Sequence, residues 1–248
     1  MKTNQVQEVA VIPFNKDEIL NKLYTACRTC YTAGTPQEQY EKCENTEYSK
    51  KWSLLKHVID SGHHSVLEHV SFTFMISGVS RALTHQLVRH RIGASYSQQS
   101  QRYCAFKDGF QYVTPPSIQK NEEACEKFNY LMSAINECYD ILLASGVPAE
   151  DARMVLPNAC TSNITVTMNL RELIHFCNER LCTCAQWEIR QLAKKMSNLI
   201  IQEIPELKPY LSPKCSVLGY CNENESRTCG RKPIKSKAIV NTFVPSIV

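Results

Sequence analysis

The sequence predicts an α/β protein of the α+β kind: a mainly antiparallel sheet flanked by long helices, in a single domain with a cysteine-containing C-terminal tail. Three observations predict it. Val70, Phe72, Phe74 and Ile76 alternate with Ser71, Thr73 and Ser77, and Ile164, Val166 and Met168 alternate with Asn163, Thr165 and Thr167. Period-two runs of this kind are strands with one apolar face. Between them, Ala124, Phe128, Leu131, Ile135, Cys138 and Leu142 recur at helical spacing, marking one long amphipathic helix from Asn121 to Ser145. Finally, no glycine-rich phosphate loop follows a strand, which argues against a doubly wound dinucleotide-binding sheet.

The remaining elements follow in order. Glu8 to Ile12 alternates weakly and stops at Pro13, a short strand. Asn15 with Glu18 forms a capping box opening a helix through Leu20, Leu23 and Cys27. Trp52, Leu55, Val58 and Ile59 mark a second helix, stopped by Gly62. Ser65 with Glu68 reads as another capping box, and a helix N-terminus there presents free N–H groups suited to a cofactor phosphate. Gly78 is expected to break the strand that begins at Val70, and Ser80 to His90 reads as a helix with Leu83 and Leu87 inward. Phe110 to Val113 reads as a strand closed by Pro115-Pro116. Pro148 opens a short helix carrying Arg153, and Pro157 ends it. Asn169 with Glu172, and Thr183 with Gln186, supply two more boxes, the second starting a long helix that Pro205 terminates. On the helix after Asn169, Arg171, His175 and Asn178 share a face.

At 248 residues the chain can bury a sizeable core. Hydrophobic residues make up 43% and charged residues 21%, ordinary for a soluble globular protein, and a net charge of +4 does not by itself imply nucleic acid. The opening MKTNQVQEVAVIPF has no basic start followed by a long apolar run, so no signal peptide is expected. No stretch approaches a membrane span. A cytoplasmic location is therefore expected, with most of the thirteen cysteines as reduced thiols. A domain over 1–211 and a tail over 212–248 are expected. Cys27 and Cys30 have C-x-x-C spacing without a second pair, and His63, His64 and His69 lack a completing ligand set, so no metal is expected at either. In the tail Cys215, Cys221 and Cys229 cluster among turn residues, where Cys182 or Cys184 can join them in space. Their spacings match no zinc finger, and free surface thiols are expected.

The chemistry concentrates between Gln86 and Tyr103, QLVRHRIGASYSQQSQRY. No Asp or Glu occurs from His69 to Lys107, so these cations need distant counter-charges or an anionic ligand. Arginines clustered at a helix C-terminus also suit the helix dipole, which accounts for Arg89 and Arg91 but not for Arg102 or the Ser/Gln ladder. Guanidinium forks with hydroxyls and amides between them suit phosphate. An RNA-binding module using Tyr96 and Tyr103 as stacking platforms is the rival reading. The stretch is short and no RNA motif accompanies it. A second rival has the cluster pairing across a subunit interface.

Arg-His-Arg, a spacer, then Ser-Gln-Arg-Tyr resembles the signature of the flavin-dependent thymidylate synthases. The resemblance extends from about residue 8 to 210. It includes Gly62-His63 and Leu67-Glu68-His69, then Gly146-Val147-Pro148 through Arg153 to Leu156-Pro157. Asn169 to Leu173, Arg180 and Ala185-Gln186-Trp187-Glu188 complete it. The resemblance implies the same fold and a homotetramer with active sites shared between subunits. It implies dTMP synthesis from dUMP, with 5,10-methylenetetrahydrofolate as carbon donor and FAD reduced by NADPH as hydride source. No cysteine sits in the Pro-Cys-His-Gln setting of the classical enzyme, so no covalent nucleophile is expected. By resemblance Gln86, Arg89, Ser100, Gln101, Arg102, Arg153 and Arg180 bind dUMP. Ser65, Arg89, His90, Arg91, Asn169, Arg171 and His175 contact FAD, and Gln98 and Gln99 lie where the two ligands meet. Arg180 approaches the pyrimidine as the catalytic group. Ser100 and Arg102 are expected on one face of an extended segment. Three departures stand out. Eight residues separate Arg91 from Ser100, one more than is usual, so a bulge or longer loop is expected near Gly93. Gln98 stands where some members have an acid, and His175 where some have Asn.

Overall fold

Four strands form one antiparallel sheet in the order β1-β2-β4-β3: β1 (Glu8–Val11), β2 (Ser71–Ser80), β3 (Ala94–Gln98) and β4 (Thr161–Asn169). The structure is a computed structural model describing residues 7–106 and 108–238. Residues 1–6, read above for a targeting signal, and 239–248 of the expected tail lie outside them. The chain divides into two compact units. One contains Phe74–Arg91 and Ser95–Val166 with the start of β1, and the other contains Val11–Thr73, Ile92–Ala94 and the chain from Thr167 onward. The α+β class expected from the sequence holds.

In the first unit the chain forms α4 (Arg81–Leu87), α5 (Pro116–Gln119), α6 (Glu122–Ala144) and α7 (Ala149–Ala152). Ser80 caps α4, its Oγ accepting from the Leu83 amide at 3.0 Å. Two further amides of that first turn, Arg81 and Ala82, donate to the carbonyls of Cys160 and Asn158. The helix therefore starts with its orphan donors satisfied, and Leu83 and Leu87 are fully buried beneath it. Gly78 does not break β2. It adopts φ +68 within the strand, a conformation open to glycine without a Cβ clash, and the strand continues to Ser80. The stretch 110–113 is likewise not a strand, because only Tyr112 bridges, to Cys160. Phe110 and Tyr112 instead pack with Met132 and Cys160 in an apolar cluster that Phe128 and Ile135 border. That cluster sets the inward face of α6: Met132 and Tyr139 are buried while Leu131 and Cys138, expected inward, are exposed.

The second unit holds α1 (Lys16–Thr29), α2 (Pro36–Glu44), α3 (Tyr48–Asp60), α8 (Leu170–Arg180), α9 (Trp187–Glu203), α10 (Lys214–Leu218) and α11 (Lys235–Ala238). Asn15 caps α1 as expected, accepting from Asp17 and Glu18. The sequence reading left α2 unassigned, although Thr35 and Glu38 make a complete capping box there and Pro36 suits its first turn. Ser65 is not a cap: residues His64–His69 form a 3-10 helix without a side-chain cap, and Ser65 is exposed on it. Thr183 does not open α9. Residues 182–185 form a turn closed by Ala185 N–H to Cys182 O, and the cap is Gln186, whose side chain accepts from Glu188 and Ile189. α1 packs on α2 and α3, and α8 packs on α9. Their buried stripes include Leu23, Leu55, Leu173, Phe176 and Leu192, each worth roughly 1.5–3 kcal/mol on full burial.

The expected irregularity near Gly93 is a tight turn. Gly93 has φ +75, its carbonyl accepts from the Asn169 amide at 2.8 Å, and β3 begins at the next residue. A Cβ at Gly93 would lie 2.3 Å from Asn169 Nδ2. Gly62 has φ +81 but open space around its Cβ position. Gly93→Ala therefore adds a collision to the left-handed backbone penalty of about 1–2 kcal/mol, whereas Gly62→Ala meets the backbone penalty alone. Urea denaturation should show Gly93→Ala as clearly the less stable variant. Equal midpoints would mean that Asn169 yields without cost.

Candidate active site

In the first unit α4 ends at Leu87 and the basic stretch begins. Tyr96 on β3 holds that helix end: its hydroxyl donates to the His90 carbonyl at 2.5 Å and lies 3.0 Å from that of Leu87. His90 is buried, whereas Arg89 and Arg91 are exposed and meet no carboxylate among the described residues. The Gln86 amide turns back on its own helix, 3.4 Å from the Ala82 carbonyl. Gln98 and Gln99 point to opposite faces of the sheet, as successive residues of an extended chain must. Gln98 Nε2 donates to Thr84 Oγ1 at 3.0 Å and Ser162 Oγ at 3.1 Å. Gln99 lines an open groove of about 520 Å3 with Met75, Ser97 and Asn163.

Beyond Gln99 the backbone turns. Cys104 N–H bonds Ser100 O, and the Arg102 amide donates to Ser100 Oγ at 3.2 Å. Ser100 and Arg102 are therefore not neighbours on the face of an extended segment. The serine hydroxyl closes the turn on which the arginine stands, a local bond that competes well with extension. Arg102 Nε then donates to the Glu150 carboxylate, and Arg153 Nε donates to the Glu150 carbonyl at 3.0 Å. Two of the predicted ligands, distant in sequence, thus meet at one residue. Gln101 is buried, with its amide 3.7 Å from Cys160 Sγ.

In the second unit Asn169 caps α8, accepting from the Glu172 amide at 2.8 Å. One turn on, Arg171 Nη1 pairs with Glu68 Oε1 at 2.5 Å. His175 is exposed on the same helix, and Arg180 is its half-buried last residue. Its neighbour Glu179 pairs with Lys214 at 3.0 Å. Asn178 leaves the face it was assigned and donates to the carbonyls of Tyr210 and Ser212. Sequence reasoning missed the residues that hold the site: Tyr96, Thr84, Ser162, Glu150 and Glu68. Only the Leu67-Glu68-His69 motif offered a signal for one of them.

What the fold and the site define is an α+β protein presenting an arginine- and amide-rich turn suited to a phosphorylated ligand. The comparisons place it within a family. Residues 15–206 match the profile of the family described as thymidylate synthase complementing protein. The chain is 48% identical to the flavin-dependent thymidylate synthase of Nitratidesulfovibrio vulgaris, over 88% of this chain and 92% of that one. It is also 48% identical to the enzyme so named in Geobacter sulfurreducens, over 83% and 87%. A UMP/dUMP methylase, PolB, from Streptomyces cacaoi, solved with 5-Br dUMP bound, shares the fold with a TM-score of 0.68 at 22% identity, covering 82% of this chain and 93% of that one. The chain belongs to the flavin-dependent thymidylate synthase family, methyltransferase-type flavoenzymes of dTMP biosynthesis.

Cys160 is the thiol bonded to the arginine-rich segment, and it is a poor nucleophile. Burial pushes it up to about 11, against smaller opposing effects of Arg81 and the Gln101 amide. Burial likewise raises the Cys177 thiol. Alkylation of the native chain with iodoacetamide at mildly alkaline pH should modify exposed Cys104 and spare Cys160 and Cys177 until denaturant is added. Native labelling of Cys160 at the rate of Cys104 would contradict this.

Proposed function

We propose that the chain makes dTMP from dUMP by reductive methylation, with 5,10-methylenetetrahydrofolate as the carbon donor. The observation that carries this beyond family membership is the convergence of Arg102 and Arg153 on Glu150. The Arg102–Glu150 pair is about half exposed, with side-chain exposures of 55% and 44%. Such a pair is worth roughly 0.2–1 kcal/mol, whereas a hydrogen bond to a charged group contributes roughly 1.5–3 kcal/mol. The exposed pair is weak, and a nucleotide phosphate, with more charge and more acceptor oxygens than a carboxylate, competes for Arg102, with Arg153 and Arg89 as the further cations of the proposed site. Gln86, Gln98, Gln99, Ser100 and Gln101 complete the proposed dUMP contacts. Arg180 acts on the pyrimidine: its planar guanidinium favours negative charge on the ring as C5 becomes nucleophilic.

The cofactor proposed is FAD, which supplies the hydride after reduction by NADPH. The residues suit it. Arg89 and Arg91, exposed and without a carboxylate among the described residues, are the donor chemistry that a pyrophosphate requires. Ser65, His90, Gln98, Asn169, Arg171 and His175 are the further proposed contacts. Arg171 would exchange Glu68 for the ligand, as Arg102 exchanges Glu150. We further propose a cytoplasmic homotetramer with active sites shared between subunits.

The deciding experiment is anaerobic dTMP formation from dUMP, methylenetetrahydrofolate, NADPH and FAD, omitting each in turn. Product should require all four. Product without added FAD from protein shown spectroscopically to carry no flavin would reject the cofactor assignment, and undiminished product without folate would reject the carbon donor.

Ser100 is proposed as a ligand and positioning group, not a nucleophile. Among the described residues its hydroxyl meets the Arg102 amide and no histidine base, whereas an attacking serine needs a base within reach. Ser100→Ala should weaken dUMP binding by roughly 1.5–3 kcal/mol while turnover at saturating dUMP survives in part. Complete inactivity with normal dUMP affinity, or a nucleotide adduct on Ser100 in quenched wild type, would defeat this assignment.

A further inference from the structure

The segment after Leu211 lies beyond the family match, which ends at residue 206, and it lacks a core of its own. From residue 212 to 238 only Cys221 is buried. The polar ties of this segment are mostly exposed ion pairs, Lys214–Glu179, Arg227–Glu223 and Lys237–Glu225, and exposed pairs stabilise little. Segments this poor in apolar burial are ordinarily held by a cross-link or a metal.

One place in it gathers ligands. The turn after α8 puts Cys182 and Cys184 on the same side, with Ala185 N–H closing onto Cys182 O at 3.1 Å. Glu223 comes from the tail. One ligand atom from each of Cys182, Cys184 and Glu223 lies within 4.8 Å of the others, and all three side chains are half-buried. Two thiolates on one tetrahedral zinc stand about 3.8 Å apart, as Zn–S bonds of about 2.3 Å require, so the grouping needs little movement to close. Cys184 Sγ already bonds the Arg227 carbonyl at 3.4 Å, which holds the 223–229 loop against the C-x-C turn. Thr183, between the two cysteines, reaches Cys229 with its hydroxyl. Cys229 is not within that 4.8 Å grouping, but this contact with Thr183 keeps an exposed third thiol near the turn.

We propose that Cys182, Cys184 and Glu223, joined by the exposed Cys229 as its side chain swings in, hold a structural zinc ion that pins the C-terminal segment to the end of α8. A carboxylate oxygen within 4.8 Å of both thiols completes a cation's donor set, for which the exposed pair of Glu223 with Arg227 at 3.6 Å is a weak competitor. Thiolate sulfur argues for zinc over calcium or magnesium, which take oxygen ligands. Each thiol releases its proton to solvent as its sulfur takes up the metal, Cys184 gives up its bond to Arg227 O, and Glu223 exchanges its pair with Arg227 for the metal. This requires neither flavin nor nucleotide, so its outcome is separable from the proposed activity.

The test is elemental analysis of the full chain, purified without added metal or chelator. About one zinc per chain is expected, released to a chromophoric chelator when a mercurial titrates the thiols. Cys184→Ser and Cys229→Ser should fall to background, while Cys30→Ser, an exposed thiol at the end of α1, keeps its zinc. Should the variants fold poorly, the wild type still decides. Stripping the metal should open residues 214–238 to limited proteolysis, and zinc alone should restore protection. Wild-type protein without zinc, a disulfide joining Cys182 to Cys184 in peptide maps, or proteolysis indifferent to metal would overturn the proposal. Zinc retained by Cys229→Ser would remove that residue from the ligand set.

Discussion

From His69 to Lys107 the chain carries its cations with no acid of its own, so each guanidinium there is compensated from elsewhere in the chain or by a ligand. Within the first unit that constraint orders the site. Arg102 reaches across 48 residues of sequence to the Glu150 carboxylate, and Arg153, three residues further on, donates to the carbonyl of the same residue. Arg171 in the second unit repeats the device with Glu68. These are exposed pairs that hold the side chains in place weakly enough for an anion to exchange with the carboxylate. Arg89 and Arg91 carry no such partner among the described residues. Charge placed in this way is preorganised for a ligand at small cost to the fold.

The scaffold beneath makes that placement possible. α4 is secured at both ends. Ser80 and the carbonyls of Asn158 and Cys160 satisfy its first turn, and Tyr96 gathers the carbonyls at its last. Two leucines anchor its middle. The arginines follow immediately after a helix tied at both ends, and the amide of Gln98 is held by Thr84 and Ser162. The backbone leading into the basic stretch is thus ordered before a ligand arrives, while the Arg89 and Arg91 side chains stay exposed.

Family membership and chemistry divide along the chain in an instructive way. The matched region, 15–206, holds all of the residues assigned to nucleotide and flavin, and it contains the buried, unreactive thiols Cys160 and Cys177. The half-buried and exposed sulfur of Cys215 and Cys229 lies outside it, in a segment with almost no apolar burial. Buried Cys160 and Cys177 therefore serve the core, whereas in the proposal above the half-buried Cys182 and Cys184 of the matched region join Cys229 of the tail in ligating metal.

The sequence by itself determined what depends on neighbours within one or two turns. The alternation of Phe72, Phe74 and Ile76 marked β2, and the caps Asn15 and Asn169 marked their helices. The Arg-His-Arg signature marked the family. Period-two and period-3.6 patterns, and bonds from a side chain to an amide three residues on, are local physics, and one chain suffices to read them. Only the tertiary structure decided the rest. Leu131 and Cys138 fit the helical stripe as well as Met132 and Tyr139 do, and the choice fell to the cluster of Phe110, Tyr112 and Cys160 facing α6. Thr183 fits a capping box as well as Gln186 caps, until the turn at 182–185 takes the place of the helix. Glu150 bears no mark of its role, because an ion pair spanning 48 residues leaves no periodicity to read. Which carboxylate meets which guanidinium is settled by the path of the backbone between them, and that path is a property of the whole packed chain.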